Sequence, residues 1–78
     1  MSIMQFIEMT GKQLLAAVNQ DEFSPEELEK ANIREDSIVR INRQGDIEVR
    51  RPVGWDLVGG LIGEFEKRIQ HASGHDWA

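Results

Sequence analysis

His71 and His75 are the residues of this chain whose types and spacing could bind a metal ion. A separation of four positions places two imidazoles on one face of a helix, as in many zinc sites, and Asp76 adds a carboxylate beside them. Ser73 and Gly74 lie between the two histidines, however, and this pair is expected to break the helix. No third ligand has a defined position, so we expect no bound metal and no cofactor.

The sequence gives little support for acid–base or nucleophilic catalysis. Glu26, Glu27 and Glu29 are close together, but a catalytic pair of carboxylates needs two distinct, partly buried environments. These positions suit helix capping and solubility instead. Ser24 and Ser37 belong to no nucleophile motif, and the chain has no cysteine or tyrosine. We therefore expect that the protein is not an enzyme.

Four arginines lie between positions 40 and 51, where they outnumber the acidic residues. They are Arg40, Arg43, Arg50 and Arg51. Guanidinium groups bind carboxylates and phosphates through paired hydrogen bonds, so the four could form a binding site for an anion or an acidic partner. The alternative is a solvated face on which the arginines alternate with acidic residues such as Glu48.

Composition limits the classes of partner. The chain has 78 residues and a net charge of −5, from 14 acidic and 9 basic residues. Such a charge does not attract a protein to nucleic acid or to anionic membranes, so neither is the expected partner. The most apolar run, residues 53–63, includes Asp56 and is shorter than the roughly 20 residues that span a bilayer. With no signal-peptide pattern at its start, the chain is expected to be cytoplasmic.

The size of the chain predicts a single domain that needs additional stabilisation. A core this small supplies about 3–5 kcal/mol of net stability. Disulfides are excluded because the chain has no cysteine. Since oligomerisation is a common alternative for small domains, we expect a homodimer.

The first helix is predicted from a capping pattern. Thr10 and Gln13 have the spacing of a capping box, in which each side chain binds the other residue's backbone N–H. This predicts a helix over residues 11–19. Residues 2–8 before it fit either a helix or a strand, and we favour a strand.

A second helix and a β-hairpin follow. The sequence Ser24-Pro25-Glu26-Glu27 combines a cap, a proline at the first helical position and a capping-box glutamate, which predicts a short helix to about residue 31. Within residues 37–51, apolar and polar residues alternate in two runs, as expected for two half-buried strands. The turn between them places Gly45 in a left-handed conformation, and Pro52 ends the second strand.

The last predicted element is an amphipathic helix over residues 55–69 that ends near His71. Its apolar residues recur at spacings of three and four: Trp55, Val58, Leu61, Ile62, Phe65 and Ile69. Gly59, Gly60 and Gly63 would each cost about 1 kcal/mol in a helix interior. Close packing would explain that cost, either within the chain or against a partner.

Trp77 is an unexpected residue in the polar end of the chain. An isolated tryptophan is costly to leave in water. Either the tail folds back onto the domain, or Trp77 anchors a partner. Trp55, Gly59, Gly63 and Trp77 are therefore the predicted partner-binding residues.

The run that begins at Ser24 and ends at Pro52 resembles part of a known family. Its short helix, the segment over residues 33–36 and the hairpin ending in Arg51-Pro52 are similar to the second half of the swapped-hairpin DNA-binding domains of the AbrB/MazE class. Residues 74–77 are also similar to the toxin-binding tails of antitoxins. The resemblance implies an antitoxin-like DNA-binding regulator that uses the basic hairpin.

Taken together, the sequence predicts a small α+β domain over residues 1–71 and a flexible tail over residues 72–78. Two helices precede a central antiparallel hairpin, a third strand could come from the N-terminus, and the glycine-containing helix packs on the sheet. The predicted core is Phe6, Leu14, Leu15, Val18, Leu28, Val39, Ile41, Ile47, Val49, Leu61, Ile62 and Phe65. The favoured function is a non-enzymatic protein-interaction or regulatory module, and the antitoxin-like DNA-binding regulator is the alternative.

Overall fold

The computed structural model describes residues 5–19 and 21–77. This part of the chain is an α+β domain, as predicted, with four strands and three short helices. In chain order the elements are β1 (Phe6–Thr10), α1 (Gly11–Ala17), α2 (Pro25–Lys30), β2 (Ile38–Asn42), β3 (Asp46–Arg51), β4 (Gly54–Gly60) and α3 (Glu66–Ser73). Across these two stretches, no helix has the length and apolar character needed to cross a membrane.

The four strands form one antiparallel sheet in the order β1-β2-β3-β4. The predicted hairpin lies at its centre, where Val39 of β2 pairs with Val49 of β3. The turn is closed by the N–H of Gly45, which donates to the carbonyl of Asn42 at 3.1 Å. Gly45 has a φ of +91°, a region that glycine occupies without steric cost. The hairpin prediction is therefore confirmed.

The segment before α1 is a strand over its described residues. β1 pairs with β2 along its whole length, from Phe6 opposite Asn42 to Thr10 opposite Ile38. It is therefore the third strand that the sequence left open. Residues 2–4 of that segment lie outside the described residues.

Both predicted helix starts are confirmed. The Gln13 N–H donates to the Thr10 hydroxyl at 3.2 Å, and the Thr10 N–H donates to the Gln13 side chain at 2.9 Å. Ser24 and Glu27 form the same reciprocal pair at the start of α2. α1 ends at Ala17, two residues earlier than the sequence predicts.

The helix predicted over residues 55–69 is wrong in its extent. Most of its first half is strand β4, and the chain becomes helical only from Glu66, so α3 has no glycine in its interior. The cause is a β-bulge opposite Ile47 and Glu48. The bulge inserts Val58 as an extra residue, so that Trp55 and Val58 of this strand are three positions apart, as on one face of a helix.

The core lies between one face of the sheet and the three helices. Most of the predicted core residues are buried: Leu14, Leu28, Val39, Ile41, Ile47, Val49, Leu61 and Phe65. Val18 is partly buried against this cluster. The predictions that Leu15 and Ile62 are buried are wrong, because their side chains are 46% and 74% exposed. The prediction for Phe6 is also wrong, because Phe6 lies on the opposite side of β1 from the buried Ile7.

Seven buried residues among those described are absent from the predicted core. They are Ile7, Met9, Ala17, Phe23, Ile33, Ile69 and Trp77. Phe23 shows how one was missed, since it lies in the loop between the first two helices and has no periodic partner. A Cβ added to Gly59 would lie 2.9 Å from the Cε1 atom of the Phe23 ring. The missing side chain of Gly59 therefore lets a loop phenylalanine reach the sheet.

A close backbone approach occurs at Gly11, the first residue of α1. Its N–H donates to the carbonyl of Ser37 at 2.8 Å. A Cβ added to Gly11 would lie 1.9 Å from the carbonyl oxygen of Arg34. Because that oxygen belongs to the backbone before β2, it cannot rotate away as the end of a side chain could.

We expect Gly11→Ala to destabilise the fold by about 1–3 kcal/mol, the usual cost of forcing extra volume into a packed site. The control is Gly60→Ala, whose Cβ would have its nearest neighbour, the carbonyl oxygen of Gly45, at 3.8 Å. Urea unfolding monitored by circular dichroism measures both. Equal unfolding midpoints for the two variants would show that the contact at Gly11 is not restrictive.

Candidate interaction surface

The sheet has two different faces. One face contacts the helices and carries the core residues of β1, β2 and β3. The residues that alternate with them face away from the core and are partly or fully exposed. We call this second side the open face. Its residues are Phe6, Glu8, Thr10, Ile38, Arg40, Asn42, Asp46, Glu48, Arg50, Trp55, Leu57 and Gly60.

An arginine held between two aromatic rings lies at the middle of the open face. The guanidinium carbon of Arg40 is 3.9 Å from the centre of the Phe6 ring and 4.2 Å from that of the Trp55 ring. The Nε–H of Arg40 donates to Glu48 at 2.6 Å. Cation–π contacts and a charge-assisted hydrogen bond therefore fix this side chain from three sides.

The strand order explains how these residues meet. Phe6 lies on β1 and Trp55 on β4, at the two edges of the sheet. Arg40 lies on β2 beside Glu48 of β3. The two large rings extend inward over the long side chain of Arg40, so the stack crosses the open face diagonally.

Two aliphatic residues of the open face remain in contact with solvent. Leu57 is 62% exposed and Ile38 is 36% exposed. They lie beside a half-buried tryptophan and arginine, both of which are enriched at protein interfaces. The open face therefore combines a rigid aromatic and arginine centre with exposed aliphatic neighbours.

The predicted partner-binding residues are separated in the structure. Trp55 lies on the open face, whereas Gly59 lies on the inner side of β4 beneath Phe23. Gly63 lies in the loop before α3 with a φ of +76° and open space around its Cα. Of the two explanations for the glycines, packing within the chain applies to Gly59.

Trp77 folds back onto the domain. It is 6% exposed, its ring meets Phe65 edge to face at 6.2 Å, and its indole N–H donates to the carbonyl of Ile41 at 3.0 Å. α3 continues to Ser73, past the predicted boundary at residue 71. Ala72 and Ser73 therefore belong to α3, and Trp77 packs on the core.

The four arginines of the hairpin do not form one patch. Arg40 is held in the stack, and Arg50 is exposed on the same face. Arg51 turns toward the helices, where its guanidinium donates to the carbonyls of Ala31 and Asn32. Arg43 lies in the hairpin turn and donates to Gln5.

The histidines are also placed apart. His71 lies on α3, and Gly74 ends that helix in a left-handed conformation, so His75 is outside it. The helix break between the two is confirmed. Within residues 5–19 and 21–77, no three His, Cys, Asp or Glu residues are arranged to hold a metal ion.

An ion pair that the sequence analysis missed holds the loops on the helical side. Arg68 of α3 donates to both carboxylate oxygens of Glu22, at 2.6 and 2.9 Å. Glu22 also accepts from the backbone N–H groups of Asn19 and Ile62. Hydrogen bonding from Arg68 is the main reason that the pKa of Glu22 is lowered from 4.5 to about 2. The partners are 46 positions apart, so no local pattern predicts their contact.

We expect the Glu22–Arg68 pair to make stability depend on pH. Because the pKa of Glu22 is lowered on folding, its contribution is complete above about pH 4.5 and is lost as the pH falls toward 2. Glu22→Gln should cost about 2 kcal/mol at pH 7, as for a hydrogen bond to a charged group, and nothing near pH 2. Denaturant unfolding across this range measures the effect. The exposed Glu29→Gln is the control, and an unchanged pH profile in Glu22→Gln would contradict the assignment.

We expect Trp77→Ala to destabilise the domain by about 3–5 kcal/mol, the usual cost of removing a large buried aromatic side chain. The control, His75→Ala, removes an exposed side chain two residues away and should change stability little. Thermal unfolding by circular dichroism distinguishes the two. If both variants unfold like the unaltered protein, Trp77 does not pack on the core in solution.

Comparison with known proteins gives no family for this chain. No family description matches it, and no curated protein or solved structure matches it either. The function must therefore be argued from the surface of the protein itself.

Proposed function

We propose that this protein is a non-enzymatic interaction module that self-associates through its open face. The observation that carries the proposal is the Phe6–Arg40–Trp55 stack beside the exposed Leu57. A regulatory role in the cytoplasm, as expected from the sequence, is part of the same proposal.

The chemistry of the stack supports a contact surface. Tryptophan and arginine are the side chains most often found to dominate binding energy at interfaces. Here Arg40 is already held by two rings and by Glu48. Because Arg40 is already ordered, docking of a partner on it costs less side-chain entropy than docking on a mobile arginine would.

The layer arrangement supports the same proposal. A sheet of this size usually buries both faces or leaves one polar face in water. The open face is neither covered nor fully polar. Four of its positions are occupied by apolar residues, namely Phe6, Ile38, Trp55 and Leu57. Covering these residues would remove apolar surface from water and add to the stability of a small domain.

DNA binding by the hairpin remains the second interpretation. It requires several arginines to face one phosphate backbone together. Arg51 instead donates to backbone carbonyls, and Arg40 is paired with Glu48. These contacts are the reason for placing DNA binding second.

The test compares two glutamate substitutions by sedimentation velocity over a concentration series. Leu57→Glu replaces an apolar side chain of the open face, 62% exposed, by a carboxylate. The like charge of Glu48 opposite it costs at most about 1 kcal/mol within the sheet, so the fold is retained, which circular dichroism checks. Val53→Glu makes the same change of charge in the β3–β4 turn, where the side chain is 99% exposed. We expect the unaltered protein and Val53→Glu to dimerise alike, and the dissociation constant of Leu57→Glu to be at least about tenfold higher, the ratio for a loss of 1.4 kcal/mol.

Two results would overturn the proposal. One is a protein that stays monomeric at every concentration, and the other is a Leu57→Glu variant that associates as well as the unaltered chain. A parallel series contains a random DNA duplex. Complex formation that weakens steeply with salt would favour the DNA-binding interpretation.

A further inference from the structure

We infer that the open face packs against the open face of a second copy, related by a twofold axis that runs parallel to the strands. This inference rests on the proposed self-association and adds its geometry. It follows from the order of charges across the sheet, from the position of one glycine and from the geometry of the terminal nitrogens of Arg40.

The middle row of the open face carries alternating charges. The strand registers place Glu8 opposite Arg40, Arg40 opposite Glu48, and Glu48 opposite Leu57. The two inner positions of this row therefore carry one positive and one negative charge. They lie on either side of the line that divides the sheet into halves.

Only one direction of the axis matches unlike charges. An axis parallel to the strands, midway between β2 and β3, exchanges the two halves of the sheet and sets Arg40 over Glu48 of the second copy. An axis across the strands would set Arg40 over Arg40 and Glu48 over Glu48. Like charges brought together in an interface are costly. Either axis keeps the strands of the two sheets aligned, a geometry in which sheets commonly pack, so the pairing of charges decides between them.

The hydrogen-bonding geometry of Arg40 fits this arrangement. A guanidinium carries five N–H donors, and in the described residues Glu48 of the same chain receives the one on Nε. The centres of the Phe6 and Trp55 rings lie 3.9 and 4.2 Å from its central carbon. Because the guanidinium is planar, the N–H groups of its two terminal nitrogens lie at its edge, where a carboxylate of the second copy can accept from them.

The shape of an outer row supports the same axis. Phe6 and Gly60 lie at the two ends of one row, because Phe6 pairs with Asn42 and Gly60 pairs with Asp46, and the side chains of Asn42 and Asp46 are hydrogen-bonded across the hairpin. Exchange of the two halves places the β1 end of this row, where the Phe6 ring leans inward over Arg40, over the Gly60 end of the same row in the other copy. Because Gly60 has no side chain, the two backbones can approach each other at that edge.

The expected strength of association follows from the size of the open face. Four strands about 4.8 Å apart, with five residues each at about 3.4 Å, give a face of about 19 by 17 Å. This is small for a specific interface. We therefore expect a dimer that dissociates on dilution.

The test uses cysteine cross-linking, which is unambiguous because the chain has no native cysteine. Glu8→Cys and Leu57→Cys change exposed positions at opposite ends of the middle row. The strand-parallel axis places residue 8 over residue 57 of the second copy, whereas the other axis places each over itself. The two variants are mixed and treated with a bis-maleimide of about 10 Å span, the separation of packed sheets.

We expect a mixed 8–57 product several times more abundant than either like-with-like product. Neither variant alone should cross-link efficiently. A mixture containing Val53→Cys in place of Leu57→Cys should give only background, because residue 53 lies in the turn beyond the sheet.

Like-with-like products, or no product above background, would overturn the inferred axis. If Leu57→Glu still abolishes a measured dimer, that failure concerns the axis alone and the proposed function stands. A protein that never dimerises overturns both.

Discussion

The alternation of apolar and polar residues in the central hairpin is the constraint on which the rest of the structure depends. It places Val39, Ile41, Ile47 and Val49 on one side of the sheet, all at most 1% exposed. The helices have to cover that side because an exposed apolar sheet face is unstable in water. Phe23, Ile69 and Trp77 belong to the same buried cluster as this row.

The same alternation creates the open face. Since side chains of a strand point to opposite sides in turn, a residue cannot be moved from one face to the other without a register change. The three helices lie on the core side, so Arg40 and Glu48 must be accommodated outside it. The two aromatic residues at the sheet edges turn this polar strip into an ordered surface. On the helical side of the sheet, the ion pair of Glu22 and Arg68 joins the loop before α2 to α3.

The parts of the fold that the sequence predicts well are those set by neighbouring residues. Capping at Thr10 and Ser24 and the turn at Gly45 depend on contacts within three or four positions, and all are confirmed. Strand β4 was misread because the bulge at Val58 changes the period of its apolar residues. The stack on Arg40 could not be predicted either, because Phe6 and Trp55 meet only once β1 and β4 have both joined the sheet. A clue was present in the odd position of Trp55, just after Gly54 and before two glycines.

The hydrogen bond from Trp77 to Ile41 has a consequence for synthesis on the ribosome. Its donor and acceptor are 36 positions apart in the chain, and Ile41 lies in a central strand of the sheet. The core therefore stays incomplete until residue 77 has left the exit tunnel, however early the hairpin forms. Contacts between distant residues also slow folding, because the intervening chain must be ordered first. The nascent domain thus leaves part of its core uncovered until this tryptophan has emerged from the tunnel, and aggregation is most expected in that interval.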